Sequence, residues 1–259
     1  MRFYLLLLAA LIFMTDPVLA GESISYYDGS TALEGYWEPS QCNTAKPAPT
    51  ILIIHQWMGL TDYEKMRAGL LAAQCYNALA VDMYGKGIRP TNYDDAGKQA
   101  SIYKDDPVLA RQRIGAALEY VRTRSDVDAA QIAAIGYCFG GSMALELARS
   151  GADIKSVISF HGGLSSPAPV TLPGAIKANI QIHHGAADPL VPPDEVAAFK
   201  AEMESAHASW SMTQYPGAVH AFTQKSAGND PSTGVAYNAE ADRLSWEAAL
   251  KYLRETLMK

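Results

Sequence analysis

Short runs of β-branched and other apolar residues alternate along the chain with segments of helical periodicity. Each apolar run has the length and composition of a strand that is buried on both faces. The predicted strands are Thr50–His55, Ala78–Met83, Gln131–Tyr137, Ile154–Phe160, Ile180–His184 and Trp210–Tyr215. Strands that alternate with helices predict an α/β fold, with a mostly parallel central sheet and helices on both faces.

Helix-start signals and apolar stripes mark the segments between these strands. Thr61 and Glu64 have the spacing of a capping box, and Pro107 suits the first turn of a second helix. Further helices are predicted near residues 139–150 and 193–206. An apolar stripe on the last helix consists of Trp246, Leu250, Leu253 and Leu257. Because ligands bind beyond the carboxyl ends of parallel strands, the residues that follow each strand are the candidates for chemistry.

Residues 1–20 have the pattern of a secretory signal peptide. A basic residue precedes an apolar run over residues 5–14, and the small residue Ala20 suits a cleavage site. A membrane anchor is the alternative, but a spanning helix needs about twenty apolar residues, and Asp16 interrupts this run. We therefore expect residues 21–259 to form a single-domain mature protein that is periplasmic or secreted.

Composition and charge narrow the possible partners. The chain has 259 residues, of which 49% are hydrophobic and 19% charged, as in ordinary globular proteins. Its net charge is −6, and its basic residues are scattered. Binding to a nucleic acid or an anionic membrane depends on concentrated positive charge, so neither partner is expected. No Cys/His spacing resembles a zinc site, and we predict no metal and no cofactor.

Cys138 lies at the centre of a glycine-flanked turn that has the form of a nucleophile elbow. Gly136 and Gly140 stand two residues before and after it, between a predicted strand and a predicted helix. Side chains at the glycine positions would collide in so sharp a turn. The helix N-terminus favours a thiolate at Cys138. The alternative interpretation is a small buried cysteine in a glycine-rich turn.

An acid and a base follow the cysteine in the order expected for a nucleophile elbow. Asp188 lies in the loop after the strand Ile180–His184, and His220 lies in the loop after Trp210–Tyr215. His220 would take the proton of Cys138 or pair with its thiolate, and Asp188 would orient the imidazole. Each residue alone has an ordinary explanation, since Asp188 could form a turn and a loop histidine is usually solvated.

The other histidines suit catalysis less well. His183 and His184 are adjacent on a strand, so their side chains point to opposite faces of the sheet. His55 and His161 follow strands and could line the pocket, but we expect structural hydrogen bonds from them. His207 has the sequence context of a surface residue.

Four segments together resemble the dienelactone hydrolase family, which has the α/β-hydrolase fold and a Cys-His-Asp triad. These segments are V-D-M-Y-G-K at 81–86, G-Y-C-F-G-G at 136–141, H-H-G-A-A-D-P at 183–189 and Y-P-G-A-V-H-A-F at 215–222. The resemblance extends from about residue 24 to the last helix. It implies that Cys138, Asp188 and His220 are the catalytic triad. It also implies an oxyanion hole formed by the backbone N–H groups of Trp57 and Phe139.

The chain departs from the family's pattern at charged positions. Gln56 stands where many members have a glutamate that handles the thiol proton. An amide cannot accept a proton, so the resemblance implies either that His220 activates the thiol or that Cys138 already rests paired with it. The family enzyme holds its substrate's carboxylate with two arginines, whereas Lys86 and Gln224 occupy those positions here. We expect Gln56, Tyr84 and Lys86 to contact the substrate, with Tyr84 and Lys86 as ordinary loop residues the alternative.

The remaining cysteines, Cys42 and Cys75, are candidates for a disulfide. Cys75 ends the helix that follows the strand Thr50–His55, at the end of the sheet where that strand begins. Cys42 lies shortly before the same strand, so the two can meet. Sequence alone does not prove the pairing, and two free thiols remain the alternative.

These observations lead to one functional hypothesis and one rival. The hypothesis is a hydrolase that cleaves a small-molecule carboxylic ester or lactone through an acyl-enzyme on Cys138, with the Cys-His-Asp triad. The rival is a non-hydrolytic ligand-binding protein, or a thiol redox protein, on the same fold. A redox role normally needs a nearby resolving thiol, and the chain has no C-x-x-C motif.

Overall fold

A computed structural model describes residues 21–42 and 47–258, which form one sheet of eight strands with six helices. The strands are β1 (Glu22–Asp28), β2 (Thr31–Glu38), β3 (Ala48–Ile54), β4 (Asn77–Val81), β5 (Val127–Tyr137), β6 (Ser156–Phe160), β7 (Asn179–Gly185) and β8 (Trp210–Tyr215). The helices are α1 (Asp62–Ala72), α2 (Tyr93–Asp105), α3 (Pro107–Arg122), α4 (Phe139–Arg149), α5 (Pro193–Ser205) and α6 (Ala239–Leu257). The predicted signal peptide lies outside the described residues. Within the described ranges, no helix is both long and apolar enough to cross a membrane.

The strand order is β1-β2-β4-β3-β5-β6-β7-β8. The pairs β1–β2 and β2–β4 are antiparallel, and every later pair is parallel. Strands β3 to β8 therefore end at the same edge of the sheet, and the loops that follow them meet there. This arrangement confirms the predicted α/β class and the mostly parallel sheet.

The two faces of the sheet carry separate apolar cores. In β3, Leu52 and Ile54 belong to the core beneath α3, α4 and α5, whereas Ile51 and Ile53 pack towards α1 and α6. Successive strand residues point to opposite faces, so a strand covered on both faces is apolar throughout. This double burial explains why the central strands show as unbroken apolar runs in the sequence.

Three elements were not expected from the hydrophobic pattern: β1, β2 and α2. Strand β1 is at the edge of the sheet, and most of its residues are exposed, so its pattern is weak. Helix α2 buries only Ala96, Ala100 and Tyr103, and its other residues are largely polar. Strand β1 and helix α2 are stabilised by contacts with the rest of the fold, and local periodicity does not reveal such contacts.

Cys42 and Cys75 are joined in a disulfide in the structure, with their Cα atoms 5.1 Å apart. The bond connects the segment after β2 with the turn between α1 and β4. A backbone hydrogen bond of 3.0 Å from Gln41 to Ala72 runs beside it. The covalent link spans 33 residues of chain.

Helix α4 begins in direct contact with β3 because two glycines remove the side chains that would separate them. A Cβ atom on Gly136 would overlap the backbone of Gly140, and a Cβ on Gly140 would overlap the backbone of Ile54 and His55. All eleven residues of α4 are buried. The first turn of α4 is therefore held at one height above the sheet.

We predict that Gly140→Ala destabilises the protein by about 1–3 kcal/mol or more, because the backbone of β3 cannot move away from the new methyl group. Urea denaturation measures the change. Gly97→Ala is the matched control, since Gly97 lies in α2 with no atom within 4 Å of the added Cβ. It should stabilise the protein by about 0.5–1 kcal/mol through helix propensity. A urea midpoint of Gly140→Ala equal to that of the wild type would refute the close approach of α4 to β3.

Candidate active site

Cys138 occupies the turn between β5 and α4 in a strained backbone conformation. Its φ and ψ angles are 54° and −119°, a region that non-glycine residues seldom adopt. Its amide N–H donates to the carbonyl of Phe160 at 3.0 Å and to Nδ1 of His161 at 3.1 Å. Strain of this kind persists only where the surroundings enforce it, and it lifts the thiol above the sheet edge.

The three residues predicted as a triad lie in contact. Nε2 of His220 is 3.0 Å from Sγ of Cys138, and Nδ1 of His220 is 2.9 Å from Oδ2 of Asp188. The other carboxylate oxygen of Asp188 accepts the backbone N–H of Leu190 at 2.9 Å. Asp188 is buried in the loop after β7, and His220 in the loop after β8. The sheet thus brings residues 138, 188 and 220 to one point.

The electrostatics of the Cys138–His220 contact favour a charged pair. Burial raises the pKa of the Cys138 thiol, but the charge and hydrogen bond of His220 and the Phe139 N–H lower it by more, so its pKa lies below the ordinary value. Burial lowers the pKa of His220, yet the Cys138 thiolate and Asp188 raise it above its usual range. The two shifts therefore favour a thiolate beside an imidazolium, a pair in which both ring N–H groups donate.

Trp57 and Phe139 line the same pocket as Cys138. The Phe139 N–H points at Sγ of Cys138. Within the described part of the chain, no atom accepts a hydrogen bond from the Trp57 N–H. The Trp57 ring stacks on Tyr93 at a centroid distance of 5.3 Å, which holds its loop above the pocket.

The pocket in front of Cys138 has a volume of about 330 Å³ and a mostly apolar lining. Its apolar wall includes Trp57, Ala100, Phe139, Leu190, Val191 and Val235. Residues from α2 and from the loop before α6 were not anticipated by sequence reasoning. Ala100 could have been found only by recognising α2, and Val235 lies in a loop without any periodic signal.

Tyr84 and Lys86 lie outside this pocket. The Tyr84 hydroxyl donates to the carbonyl of Trp57 at 2.8 Å, and the Lys86 ammonium pairs with Glu34 at 3.3 Å. The segment after β4 turns towards β2, so neither residue lines the pocket in front of Cys138, and their contact with substrate stays a prediction. Tyr84 instead supports the loop that carries Trp57.

Gln56 does line the pocket, where its amide meets Gln224. Nε2 of Gln56 donates to Oε1 of Gln224 at 2.6 Å, and the two residues come from loops after β3 and β8. An amide neither accepts nor releases a proton at neutral pH. The wall formed by this pair is therefore uncharged.

His161 has a larger role in the site than its sequence context indicated. Nδ1 accepts the Cys138 N–H, so the ring proton is on Nε2 and donates to Oγ1 of Thr223 at 2.8 Å. Thr223 lies three residues after His220, so one imidazole ties the elbow of Cys138 to the loop of His220. Burial, together with the charge of His220, lowers the pKa of His161 well below its ordinary value. The bridge is therefore neutral.

The Thr223 end of this bridge is anchored in α1 and α6. Its hydroxyl is 2.7 Å from the Tyr63 hydroxyl, which accepts from Nε of Arg67 at 3.1 Å. Arg67 pairs with Asp242 at 2.6 Å. No sequence motif marks this network, because its members are scattered over five elements and meet only in the fold.

His55 makes structural hydrogen bonds, as expected, and His183 makes one as well. His55 accepts the Met83 N–H at 3.2 Å and bonds the Gln56 carbonyl at 2.6 Å, which connects the loops after β3 and β4. Burial lowers the pKa of His55 to about 4. His183 bonds the Tyr215 hydroxyl at 2.8 Å. Neither ring contacts Cys138.

The sequence matches the model of the dienelactone hydrolase family over residues 36–257. Two solved structures are each 32% identical to this chain and cover 92% of it and 98% of their own chains. They are m3DLH, with a TM-score of 0.85, and P91, a dienelactone hydrolase-like promiscuous phosphotriesterase from metagenomic libraries, with a TM-score of 0.84. A protein of Escherichia coli (strain K12) named for carboxymethylenebutenolidase activity is 24% identical over 93% of this chain and 88% of its own length. These likenesses confirm the α/β-hydrolase fold.

We predict that iodoacetamide alkylates Cys138 at a rate that stays near its maximum at pH 7. The lowered thiol pKa keeps the reactive thiolate populated, so the rate should fall only when the pH drops through that pKa. In urea-unfolded protein the rate should already fall below about pH 8.5, the ordinary thiol value. Mass spectrometry of the modified chain measures the rate.

Asp188→Asn should move the alkylation profile of the folded protein to higher pH, because the imidazolium loses its carboxylate partner. Asp230→Asn, which changes an exposed carboxylate in a loop, is the control and should leave the profile unchanged. Identical profiles for folded and unfolded protein would contradict the charged pair.

We predict that His161→Leu raises the thiol pKa and slows alkylation at pH 7 by about tenfold, since a misplaced His220 stabilises the thiolate less. His161→Asn can still accept the Cys138 N–H and should retain most of the shift. His183→Leu removes another buried neutral histidine and should lower stability without moving the thiol pKa. Equal effects of His161→Leu and His183→Leu would show that His161 is merely structural.

Proposed function

The chain belongs to the dienelactone hydrolase family and is a carboxylic ester hydrolase, and we propose that it cleaves its ester or lactone through an acyl-enzyme on Cys138. The observation that carries this proposal is the continuous contact from Sγ of Cys138 through the His220 ring to Asp188, at 3.0 and 2.9 Å. Nucleophile, base and orienting acid are within hydrogen-bond reach without any rearrangement.

In the first half of the cycle the Cys138 thiolate attacks the carbonyl carbon of the ester. The carbonyl electron pair moves onto oxygen, and the N–H groups of Trp57 and Phe139 stabilise that oxyanion. The intermediate then collapses, the carbon–oxygen bond to the alcohol breaks, and His220 donates its Nε2 proton to the leaving alkoxide. The products of this half are a thioester on Cys138 and the free alcohol.

In the second half His220, now neutral, removes a proton from a water molecule that attacks the thioester. The resulting oxyanion occupies the same pair of N–H groups, and its collapse breaks the carbon–sulfur bond. The acid leaves, and the thiolate and the imidazolium are restored. Asp188 holds the imidazole in place through both halves and stabilises its positive form.

The amide of Gln56 is consistent with this scheme, because the resting thiol needs no additional base. The lowered thiol pKa and the raised His220 pKa both favour transfer of the proton to His220 before substrate binds. A carboxylate at position 56 would compete for that proton. We infer that Gln56, together with Gln224, contributes only hydrogen bonds and shape to the substrate pocket.

The pocket favours an uncharged ester or lactone next to the reacting bond. Its lining near Cys138 is mostly apolar, the Gln56 amide is neutral, and Lys86 is paired elsewhere, while the charged Lys104 in the lining is exposed to solvent. Relatives are named for lactones such as carboxymethylenebutenolide, and lactone opening on Cys138 would follow the same steps. An apolar cavity of about 330 Å³ suits an acyl group of short to medium length.

A thiol redox function has less support than hydrolysis. The chain has three cysteines, and two of them form the Cys42–Cys75 disulfide, far along the fold from Cys138. No resolving thiol therefore remains for Cys138. The same disulfide is compatible with an oxidising compartment, and we retain the proposal that residues 1–20 direct the protein to the periplasm or the exterior.

A panel of p-nitrophenyl esters from acetate to octanoate tests the proposed function. We expect turnover with a preference for short or medium chains. Cys138→Ala and His220→Ala should lose about a thousandfold or more in kcat, because each removes a member of one catalytic unit. Asp188→Asn should lose less. Asp230→Asn is the control and should match the wild type.

Rapid quenching with a slowly hydrolysed ester should reveal an acyl adduct on the peptide that contains Cys138. Full esterase activity in Cys138→Ala would overturn the mechanism. Tight binding of esters without any turnover would favour the ligand-binding alternative.

A further inference from the structure

A second compartment of about 360 Å³ adjoins the catalytic pocket and differs from it in chemistry. The two cavities share four lining residues, so they are continuous. The shared residues are Lys104, Ser142, Gly163 and Leu190. The lining of the second compartment is rich in hydroxyl and charged groups, unlike the apolar lining in front of Cys138.

Ser142 provides an unsatisfied hydroxyl at the junction of the two cavities. It lies four residues after Cys138, one helical turn along α4, and its side chain faces both cavities. Ser142 is only 7% exposed. Among the described residues, none forms a hydrogen bond with its Oγ atom. Because the Ser142 side chain lines both cavities, its hydroxyl is available to a ligand.

Gly163 leaves open the space beside this hydroxyl. A Cβ atom placed on Gly163 would lie 3.2 Å from Oγ of Ser142 and 3.7 Å from Oε1 of Glu195. One ligand atom in that space can therefore contact both side chains. We call the space bounded by Ser142, Gly163 and Glu195 the Gly163 notch.

Glu195 determines the polarity of the group that the Gly163 notch accepts. It lies in the first turn of α5, and its Oε1 accepts the backbone N–H groups of Leu164 and Ser165 at 2.6 and 3.0 Å. These bonds hold the carboxylate in place. The oxygen nearest the notch is the same Oε1, so a donor on the ligand would be its third hydrogen-bond partner. An ionised carboxylate only accepts hydrogen bonds. A ligand group in the notch must therefore donate.

We propose that the Gly163 notch is a subsite for a hydrogen-bond-donating group of the substrate, either a hydroxyl or an ammonium. This inference rests on the proposed function, because it places the ester at Cys138. One helical turn, roughly 5–6 Å, separates Cys138 from Ser142 along α4, so about four to six atoms would connect the ester to the donor. The natural substrate is then an ester with an apolar middle and a polar end.

The other charges of the compartment leave the donor group as the best match. Glu146 is neutralised by Arg111 at 2.8 Å and Arg149 at 3.0 Å. Lys104 is exposed and makes no ion pair with any described residue. A carboxylate on the substrate would be attracted to Lys104 but repelled by Glu195. A preference for substrates with a carboxylate, held by Lys104, is therefore the competing outcome of the test.

Matched esters test the proposal on both sides of the reacting bond. The acyl set consists of the p-nitrophenyl esters of hexanoate, 6-hydroxyhexanoate, 6-aminohexanoate and adipate. The alcohol set consists of hexyl, 6-hydroxyhexyl and 6-aminohexyl acetate. The hydrolysis of these acetates is measured by pH-stat titration. In at least one set, the hydroxyl or ammonium ester should exceed the plain ester in kcat/KM by about tenfold, the effect of one or two good hydrogen bonds.

Three variants assign that preference to the notch. Ser142→Ala should reduce the preference to within about twofold. Glu195→Gln keeps an acceptor for the two backbone N–H groups, so it should abolish a preference for ammonium and weaken one for hydroxyl. Gly163→Ala should block the notch and lower kcat/KM for the hydroxyl and ammonium esters more than for the plain ester. Glu204→Gln, on the exposed side of α5, is the matched control and should change nothing.

A binding measurement separates this inference from the proposed function. Hexane-1,6-diol and 6-aminohexan-1-ol should protect Cys138 from iodoacetamide at lower concentration than hexan-1-ol, and Ser142→Ala should remove the difference. Equal protection by all three alcohols, or a preference that survives both Ser142→Ala and Glu195→Gln, overturns the subsite even if esters are hydrolysed. So does a preference for adipate that Lys104→Met removes. Protection by the diol without ester turnover supports the subsite and rejects the hydrolase mechanism.

Discussion

The 3.0 Å contact between Sγ of Cys138 and Nε2 of His220 is the interaction on which the rest of the site depends. It lowers the pKa of the thiol and raises the pKa of the imidazole, and both shifts favour a thiolate beside an imidazolium. The shift requires a fixed geometry, because the attraction weakens quickly with distance. Glycines 136 and 140 fix the height of the thiol, and Asp188 fixes the ring from its other side.

The neutral bridge through His161 makes this geometry a property of the fold. Two loops that meet only at their tips would be free to separate, but a buried imidazole bonds the Cys138 amide on one side and Thr223 on the other. The ring stays neutral because burial and the nearby charge of His220 both oppose its protonation. A positive charge on His161 would repel the imidazolium of His220. The low pKa of His161 therefore supports His220, as its position does.

The active-site cleft has an apolar region and a polar region side by side. In front of the thiol the lining is apolar and strengthens the electrostatic interactions of the charged pair, whereas around the Gly163 notch the lining offers a buried hydroxyl and a carboxylate. An ester is itself divided in this way, with a weakly polar reacting bond and ends of variable polarity. Substrate selectivity can therefore come from side chains that never touch the reacting carbonyl. Substituting those side chains would leave the contacts among Cys138, His220 and Asp188 in place.

The sheet and the meeting of Cys138, Asp188 and His220 could both be predicted from the sequence, because both follow from local rules. Buried parallel strands must be apolar throughout, and a sharp strand–helix turn needs glycines at positions 136 and 140. Residues 188 and 220 follow strands whose ends meet at one edge, so their convergence was predictable. The tertiary structure alone decided which loops face the pocket: it turned Lys86 towards Glu34, and it brought Ser142 beside Glu195 across the space left by Gly163. Such contacts join residues from separate elements, and no spacing along the chain encodes the distance between them.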